Sequence, residues 1–185
     1  MELSDAELIE EYLHGDESSF YEIVTRYTNP LYNFIARLIY DREEAHDLTQ
    51  EVFVRVWKNI KSFDRQRSFK TWIFSIARNL AIDRLRKHKA IQFSDILFAT
   101  DAPYEETLAD TELLPDELFS RTELTQELER AFKKIHPAHV EIILLHLVEE
   151  MTFEEIGQVL GEPMNTIKTR YRRALAHLRK ELSVD

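Results

Sequence analysis

The chain of 185 residues contains no cysteine, only three glycines and five prolines. The lack of cysteine excludes disulfide cross-links, zinc sites built on thiolates and a thiol nucleophile. No apolar run is long enough to span a bilayer, and the N-terminal sequence MELSDAELIEEYL is acidic, unlike a basic-then-apolar signal peptide. These features predict a cytoplasmic protein that does not insert into membranes.

Signatures of catalysis are also missing. With three glycines, the chain has little material for the loops that cradle nucleotide phosphates. It contains seven histidines and many carboxylates, but no HExxH motif and no arrangement typical of a Ser/His/Asp triad. The sequence therefore predicts no enzymatic activity, no cofactor and no metal site.

The net charge of −10 conceals two basic segments. Residues 61–90 hold nine Lys or Arg against two Asp, a net charge of +7, and residues 163–182 hold six against one Glu, a net of +5. Residues 1–51 carry a net charge of −10 and residues 91–130 a net of −9. Local basic patches matter more for nucleic-acid binding than the overall charge does, so the two basic segments are candidate contact surfaces.

Apolar residues recur with helical spacing through most of the chain, and no stretch alternates like a strand. The spacing predicts an all-α fold with helices near 4–14, 17–27, 29–40, 43–60, 69–87, 121–134, 137–149, 152–160 and 163–182. Between residues 88 and 120 the pattern fails, and this stretch is acidic and contains Pro103 and Pro115. We expect a flexible acidic linker at 88–120 between two small helical domains, 1–87 and 121–185.

The C-terminal segment MTFEEIGQVLGEPMNTIKTRYRRALAHLRKEL has the pattern of a helix-turn-helix. Thr152 and Glu155 can form a capping box, Gly161 can end the first helix, and Pro163 stands where a second helix would begin. The second helix is basic and amphipathic, with its apolar stripe formed by Ile167, Tyr171, Leu175 and Leu178. Such a helix fits the major groove of DNA. The alternative is a surface helix whose cations are merely solvated.

Aromatic and basic residues alternate in the segment 61–87, KSFDRQRSFKTWIFSIARNLAIDRLRK. Cations can hold the backbone of an unpaired strand while aromatic faces accept its bases. Trp72 can equally belong to an ordinary core, as we expect for Ile73, Ala77 and Leu80. Asn79 is polar and can bond a base edge or a local group. Extruding a base costs a few kcal/mol and each aromatic stack returns ~1–3 kcal/mol, so strand opening would need a larger partner.

The helix at 41–60, DREEAHDLTQEVFVRVWKNI, has one apolar face and one charged face. Ala45, Leu48, Val52 and Val56 form the apolar face, with Trp57 joining it less regularly. The charged face can be a solvated surface or a docking surface for a partner helix. The residues alone leave both possibilities open.

These three blocks resemble, in order and spacing, the extracytoplasmic-function group of bacterial RNA polymerase sigma factors, within the sigma-70 family. The resemblance implies a promoter-specificity subunit that recognises the −35 and −10 elements and assists strand opening for transcription initiation. Its implied partners are the β′ clamp helices and β flap of core RNA polymerase, duplex promoter DNA, the unpaired non-template strand, and an anti-sigma factor.

Candidate site residues follow from the residue pattern and from this resemblance together. For polymerase binding they are Asp47, Gln50, Glu51 and Arg55. For the −10 element they are Arg65, Arg67, Lys70, Trp72, Arg78, Asn79, Arg84 and Lys87, with Asn79 at a base-contacting position. For the −35 element they are Thr166, Lys168, Thr169, Arg170, Arg172 and Arg173. The chain departs from the family pattern at Glu162 and Asn165, where a hydrophobic residue and a glycine are usual.

A second hypothesis is a stand-alone transcriptional regulator whose helix-turn-helix follows a helical sensing or dimerisation domain. Such a regulator would bind duplex DNA unaided and would not need the aromatic and basic segment at 61–87. Specific initiation with core polymerase separates the two hypotheses.

Overall fold

A computed structural model describes residues 3–92 and 122–182, with side chains described for 3–87 and 127–182. Every regular element in these ranges is helical. In chain order they are α1 Asp5–Leu13, α2 Glu17–Ile39, α3 Arg42–Asn59, a 3-10 turn Ile60–Ser62, α4 Phe69–Gln92, α5 Thr122–Lys133, α6 Pro137–Ile143, a π segment Leu144–Val148, α7 Phe153–Leu160 and α8 Met164–Leu182.

Helix α2 corrects one boundary, because the predicted break between helices 17–27 and 29–40 is absent. Pro30 lies inside a continuous helix. An interior proline costs ~3 kcal/mol. The α2 face that includes Ile23, Leu31, Phe34 and Leu38 is fully buried, and each such side chain contributes about 1.5–3 kcal/mol. Burial of this face therefore outweighs the cost of the proline.

Helix α4 continues past Lys87 to Gln92, beyond the predicted start of the linker. Residues 88–92 contain neither proline nor glycine, so nothing in the local sequence interrupts the backbone hydrogen bonds. The remainder of the predicted linker, from residue 93, lies outside the described residues.

The C-terminal helices α5–α8 close around their own apolar residues. The predicted helix 137–149 is divided into α6 and the π segment. It ends before Glu150, which has a positive φ of 56°. A π segment widens the helix by one residue per turn and so changes which side chains face the core. Here Leu144 and Leu145 are buried while Leu147 and Val148 are exposed.

The two helical domains are packed against each other. Helix α4 contacts α7, and α2 contacts α6. Among the residues whose side chains are described, two ion pairs cross between the domains, Lys70 with Glu149 and Arg78 with Glu141. The described apolar core therefore continues from the N-terminal helices into the C-terminal ones.

Candidate nucleic-acid interface

Helices α7 and α8 form the predicted helix-turn-helix, and local capping fixes its geometry. The Thr152 side chain accepts from the Glu155 amide at 3.2 Å, and the Glu155 carboxylate accepts from the Thr152 amide at 2.8 Å, which confirms the capping box. Gly161 ends α7 with a φ of 70°, as predicted. Gly157 lets the turn after α7 pass close to the helix. A Cβ at this position would lie 2.7 Å from the backbone oxygen of Glu162, so a larger residue would clash with the turn.

The apolar stripe of α8 is packed inward. Ile167, Ala174 and Leu178 are buried. The Tyr171 ring lies 5.3 Å from Phe153, so the second helix is held against the first. This packing leaves the opposite face of α8 open to solvent.

Most of the predicted −35 residues lie on that open face. Thr166, Thr169, Arg172 and Arg173 are exposed, and Lys168 is half-buried. Thr169 donates its hydroxyl to the Asn165 carbonyl at 3.0 Å. The open face is therefore cationic and suited to phosphates and base edges.

Arg170 corrects the predicted set, because its guanidinium points into the domain. It is ion-paired with Glu162 and donates to the carbonyl of Ala138 at 3.0 Å and to the carboxylate of Glu141 at 3.4 Å. Arg170 thus joins the turn, α6 and α8. Arg170 therefore stabilises the helix-turn-helix, because its guanidinium N–H groups are already bonded within the domain.

Glu141 is the buried anion of this cluster, with 1% of its side chain exposed. Burial raises the pKa of its carboxyl above the ordinary 4.5, while the neighbouring Arg78 and Arg170 oppose that rise. Glu149 is similar: burial raises its pKa and Lys70 opposes the rise.

In the N-terminal domain a cleft of about 470 Å³ opens where α3, the loop 63–68 and α4 meet. Its lining residues are Arg55, Asn59, Ser62, Phe63, Asp64, Arg67, Trp72, Ile76 and Asn79. A volume of this size is typical of sites for small organic groups.

The loop at the cleft is held by short-range bonds. The Asp64 carboxylate accepts from the Gln66 amide at 3.0 Å and pairs with Arg67 at 3.4 Å. Phe63 and Trp72 form one aromatic wall of the cleft. The exposed Asn79 amide lines the cleft as well.

The structure separates the predicted −10 residues into three groups. Arg67, Trp72 and Asn79 line the cleft. Lys70 and Arg78 are engaged by glutamates of the C-terminal domain. The rest lie outside the cleft lining: Arg65 and Lys87 are exposed, and Arg84 is paired with Glu44 at 3.0 Å.

The prediction missed Asn59, Ser62 and Asp64 as cleft residues, and it assigned Arg55 to polymerase binding alone. Arg55 and Asn59 lie one helical turn apart at the end of α3, and the Asn59 side chain donates to the Arg55 carbonyl at 2.8 Å. Their position just before the aromatic and basic segment was the available sequence clue.

The outer face of α3 carries the predicted polymerase residues. Asp47, Gln50, Glu51 and Arg55 are all exposed, and Arg55 donates to Glu51 at 2.6 Å. Trp57 was expected near the apolar face, but it is 57% exposed. Because Val56 occupies the buried stripe, the next residue is rotated by about 100° and points outward.

Comparison with known proteins places both domains in one family. Residues 23–91 match Sigma-70 region 2, and residues 131–180 match Sigma-70, region 4. The chain is 35% identical over 185 residues to the ECF RNA polymerase sigma factor SigW of Bacillus subtilis, covering 98% of both. It is 32% identical over 168 residues to SigX of the same organism, covering 91% of this chain and 86% of SigX.

Two solved structures have the same fold. The sigma factor RpoE, in complex with the anti-sigma factor NepR from Bartonella quintana, matches with a TM-score of 0.70 at 26% identity, covering 90% of this chain and 98% of that one. CnrH, in complex with the cytosolic domain of CnrY, matches with a TM-score of 0.69 at 22% identity, covering 98% of each chain. These likenesses confirm the predicted all-α fold with two small domains.

The described residues combine a cationic helix-turn-helix with a polar and aromatic cleft in the other domain, as is typical of a DNA-recognition protein. More specifically, this chain belongs to the extracytoplasmic-function group of RNA polymerase sigma factors. It is a promoter-specificity subunit of RNA polymerase, which confirms the first hypothesis over the stand-alone regulator. Within the described ranges no helix has both the length and the hydropathy to cross a bilayer.

Proposed function

We propose that the cleft of the N-terminal domain holds one extruded base of the −10 element during strand opening. The observation that carries this proposal is the meeting of Arg67, Trp72 and Asn79 at one cleft. A cation can hold the phosphate, an aromatic wall can pack on the base, and an amide can bond its edge. Arg65 and Lys87 are exposed cations that can follow the strand on either side.

The open face of α8 reads the −35 element in this proposal. Arg172 and Arg173 supply donors for guanine edges and phosphates, while Thr166 and Thr169 contact the backbone or a base. Arg170 keeps α8 in place. Two observations support this proposal. The two threonines and Arg172 and Arg173 are exposed, whereas Arg170 is ion-paired with Glu162.

The outer face of α3 is the proposed docking surface for the β′ clamp helices, with Asp47, Gln50 and Glu51 at its centre. Arg55 lies between this surface and the cleft, so it belongs to both. The C-terminal domain is the proposed contact for the β flap. In this account the chain performs no chemistry, and the polymerase supplies the energy that strand opening requires.

The experiment that tests this function is run-off transcription with core RNA polymerase on a library of promoter fragments, followed by sequencing of the start sites. The chain should give initiation at a defined set of promoters, with two shared elements at fixed spacing. Initiation by core polymerase that is unchanged on adding the chain would contradict the proposal.

An anti-sigma factor is a further proposed partner. The described chain matches, over 90% of its length, a sigma factor solved in complex with one. A protein captured on the immobilised chain is an anti-sigma factor only if it blocks transcription when it is added before core polymerase. A captured protein without that effect is not a partner of this kind.

A further inference from the structure

The open face of α8 carries one polar side chain that is not in the predicted −35 set. Successive residues of a helix are rotated by about 100°, so residues at i, i+4, i+7 and i+11 form one narrow stripe. The residues with this spacing are all exposed: Asn165, Thr169, Arg172 and Ala176. The buried residues Ile167, Ala174 and Leu178 lie on the opposite side of the helix. Asn165 is therefore close to the middle of the open face.

Asn165 lies at the start of α8, directly after the first residue, Met164. In a helix-turn-helix, the residues at the N-terminal end of the second helix contact base edges in the major groove. The seven positions from Asn165 to Arg172 correspond to about 10 Å along the helix axis. This distance equals about three base-pair steps of DNA. Asn165 can therefore reach a different base pair from the one that Arg172 reaches.

The side-chain amide of Asn165 is available to an external partner. The backbone carbonyl of this residue accepts from the Thr169 hydroxyl at 3.0 Å, but within the described ranges the side chain has no hydrogen-bond partner. Glu162, the acidic residue of the preceding turn, is ion-paired with Arg170, whose guanidinium points into the domain. The start of α8 therefore presents a neutral amide to DNA, and the nearby carboxylate is neutralised.

The chemistry of the amide favours one base. An asparagine side chain has a donor group and an acceptor group side by side. In the major groove, adenine offers the acceptor N7 next to the donor amino group on N6, so it can bond both ends of the amide. Guanine presents two acceptors there, and a phosphate presents acceptors alone. Either of these partners would leave the amide carbonyl without a donor.

We infer that Asn165 is a specificity-determining residue that selects adenine at one position of the −35 element. The inference rests on the proposed −35 role of α8 and adds one base pair to those that the helix reads. A good two-bond contact of this kind discriminates against the wrong base by about fivefold to a hundredfold.

The test measures the sequence preference of the holoenzyme formed by the full-length chain and core RNA polymerase. Promoter fragments obtained from run-off transcription are given a randomised −35 element and selected by binding, and the bound fragments are sequenced. The parent chain should prefer adenine at one position. Asn165→Ala should weaken that preference by at least about fivefold and keep the preferences at the other positions. Because Asn165 is exposed, the midpoint of urea unfolding should not change.

Asn165→Asp tests the chemistry at nearly constant shape. The carboxylate cannot donate to adenine N7, but it can accept from the amino group of cytosine. This variant should lose the preference for adenine at the same position and select more cytosine there. Gln158→Ala is the matched control, because it removes an exposed side-chain amide from α7, the other helix of the helix-turn-helix. It should keep every base preference of the parent chain.

Equal base preferences in Asn165→Ala and the parent chain would overturn the inference. A uniform loss of binding on all sequences would also overturn it, since that result is typical of a phosphate contact. Failure of the underlying −35 assignment has a different result, because neither Arg172→Ala nor Arg173→Ala would then change the selected sequences. If the arginine variants change the selected sequences and Asn165→Ala does not, the inference fails while the proposed −35 role of α8 stands.

Discussion

The indole ring of Trp72 lies 4.8 Å from the phenyl ring of Phe63, with the two planes inclined by 30°. Phe63 belongs to the loop after α3, and Trp72 belongs to the first turns of α4. Their contact fixes the loop against the helix and builds an aromatic wall beside the Asn79 amide. One base stacked on such a wall gains ~1–3 kcal/mol, comparable with the cost of extruding it.

Replacing Asn79 by alanine should impair strand opening without weakening polymerase binding. Asn79 is exposed, so its removal should change stability by no more than about 0.5 kcal/mol. The loss of one hydrogen bond to the base should cost about 0.5–1.5 kcal/mol in open-complex formation. Permanganate reactivity of unpaired thymines in the holoenzyme complex measures opening directly.

A template that is already unpaired at the −10 element is the control for Asn79→Ala. If Asn79 holds the extruded base, the variant should regain part of its activity on this template, because the cost of opening has been removed. Opening by Asn79→Ala equal to that of the parent chain would rule out the role.

Arg173 and Arg170 provide a matched pair on one helix. Arg173→Ala should weaken binding to the −35 element by about 1–3 kcal/mol, the range for a good base contact, and should leave folding intact. Arg170→Ala should instead destabilise the C-terminal domain by about 3 kcal/mol, at the lower end for a broken buried pair because Glu141 keeps Arg78.

Holoenzyme binding to −35 variants and urea unfolding of the free chain separate these two effects. If Arg173 contacts a base, Arg173→Ala should lose affinity for one −35 sequence more than for the other variants. A uniform loss with a shallower salt dependence would assign Arg173 to phosphate alone. An Arg170→Ala chain that unfolds like the parent would contradict the support role.

The ends of helix α7 could be predicted from the sequence because the residues that form each end lie within a few positions of one another. The capping box of Thr152 and Glu155 and the left-handed Gly161 depend on one turn of chain each. Such motifs can be recognised from spacing alone. The boundary at Pro30 was missed because burial against other helices outweighed the local preference.

The ion pairs of Lys70, Arg78 and Arg170 could not be predicted from the sequence, for a different reason. Arg78 and Glu141 are 63 positions apart, and Arg170 and Glu141 are 29 apart. A periodic pattern indicates that a cation lies on a polar face, but it does not indicate which anion approaches that face from elsewhere in the fold. The sequence therefore predicted the cationic surfaces and not the partners that occupy them.

Trp57 should be a main contributor to polymerase binding. Its side chain is 57% exposed beside Val54, which is 47% exposed, on the same helix as the charged docking residues. Buried aromatic anchors dominate many interfaces, so Trp57→Ala should weaken binding to core polymerase by about 2 kcal/mol or more. Biolayer interferometry with immobilised core enzyme measures the change.

Tyr21→Ala is the control for Trp57→Ala, because Tyr21 is 73% exposed on a different helix. Removing it should leave polymerase affinity unchanged. Similar losses for the two variants would show that exposed aromatic residues act through general stickiness and not through a docking surface on α3.

His139 should make the C-terminal domain sensitive to mild acid. Burial lowers the pKa of His139 below its ordinary 6.5, and the nearby His177 and His136 lower it further. Its Nδ1 atom is buried and has no hydrogen-bond partner among the described residues. The folded chain therefore holds His139 neutral at a pH where the unfolded chain has begun to bind a proton.

The direction of the effect follows from this difference in proton binding. As the pH falls from the ordinary pKa of 6.5 to the lowered pKa of the folded state, the unfolded state binds more protons than the folded state, so the free energy of unfolding falls; below the lowered pKa both states are protonated and this change ends. His139→Gln should reduce this dependence in urea unfolding followed by circular dichroism, and His14→Gln is the matched control for removing one histidine. If His139→Gln retains the full pH dependence of the parent chain, the proton is taken up by another group.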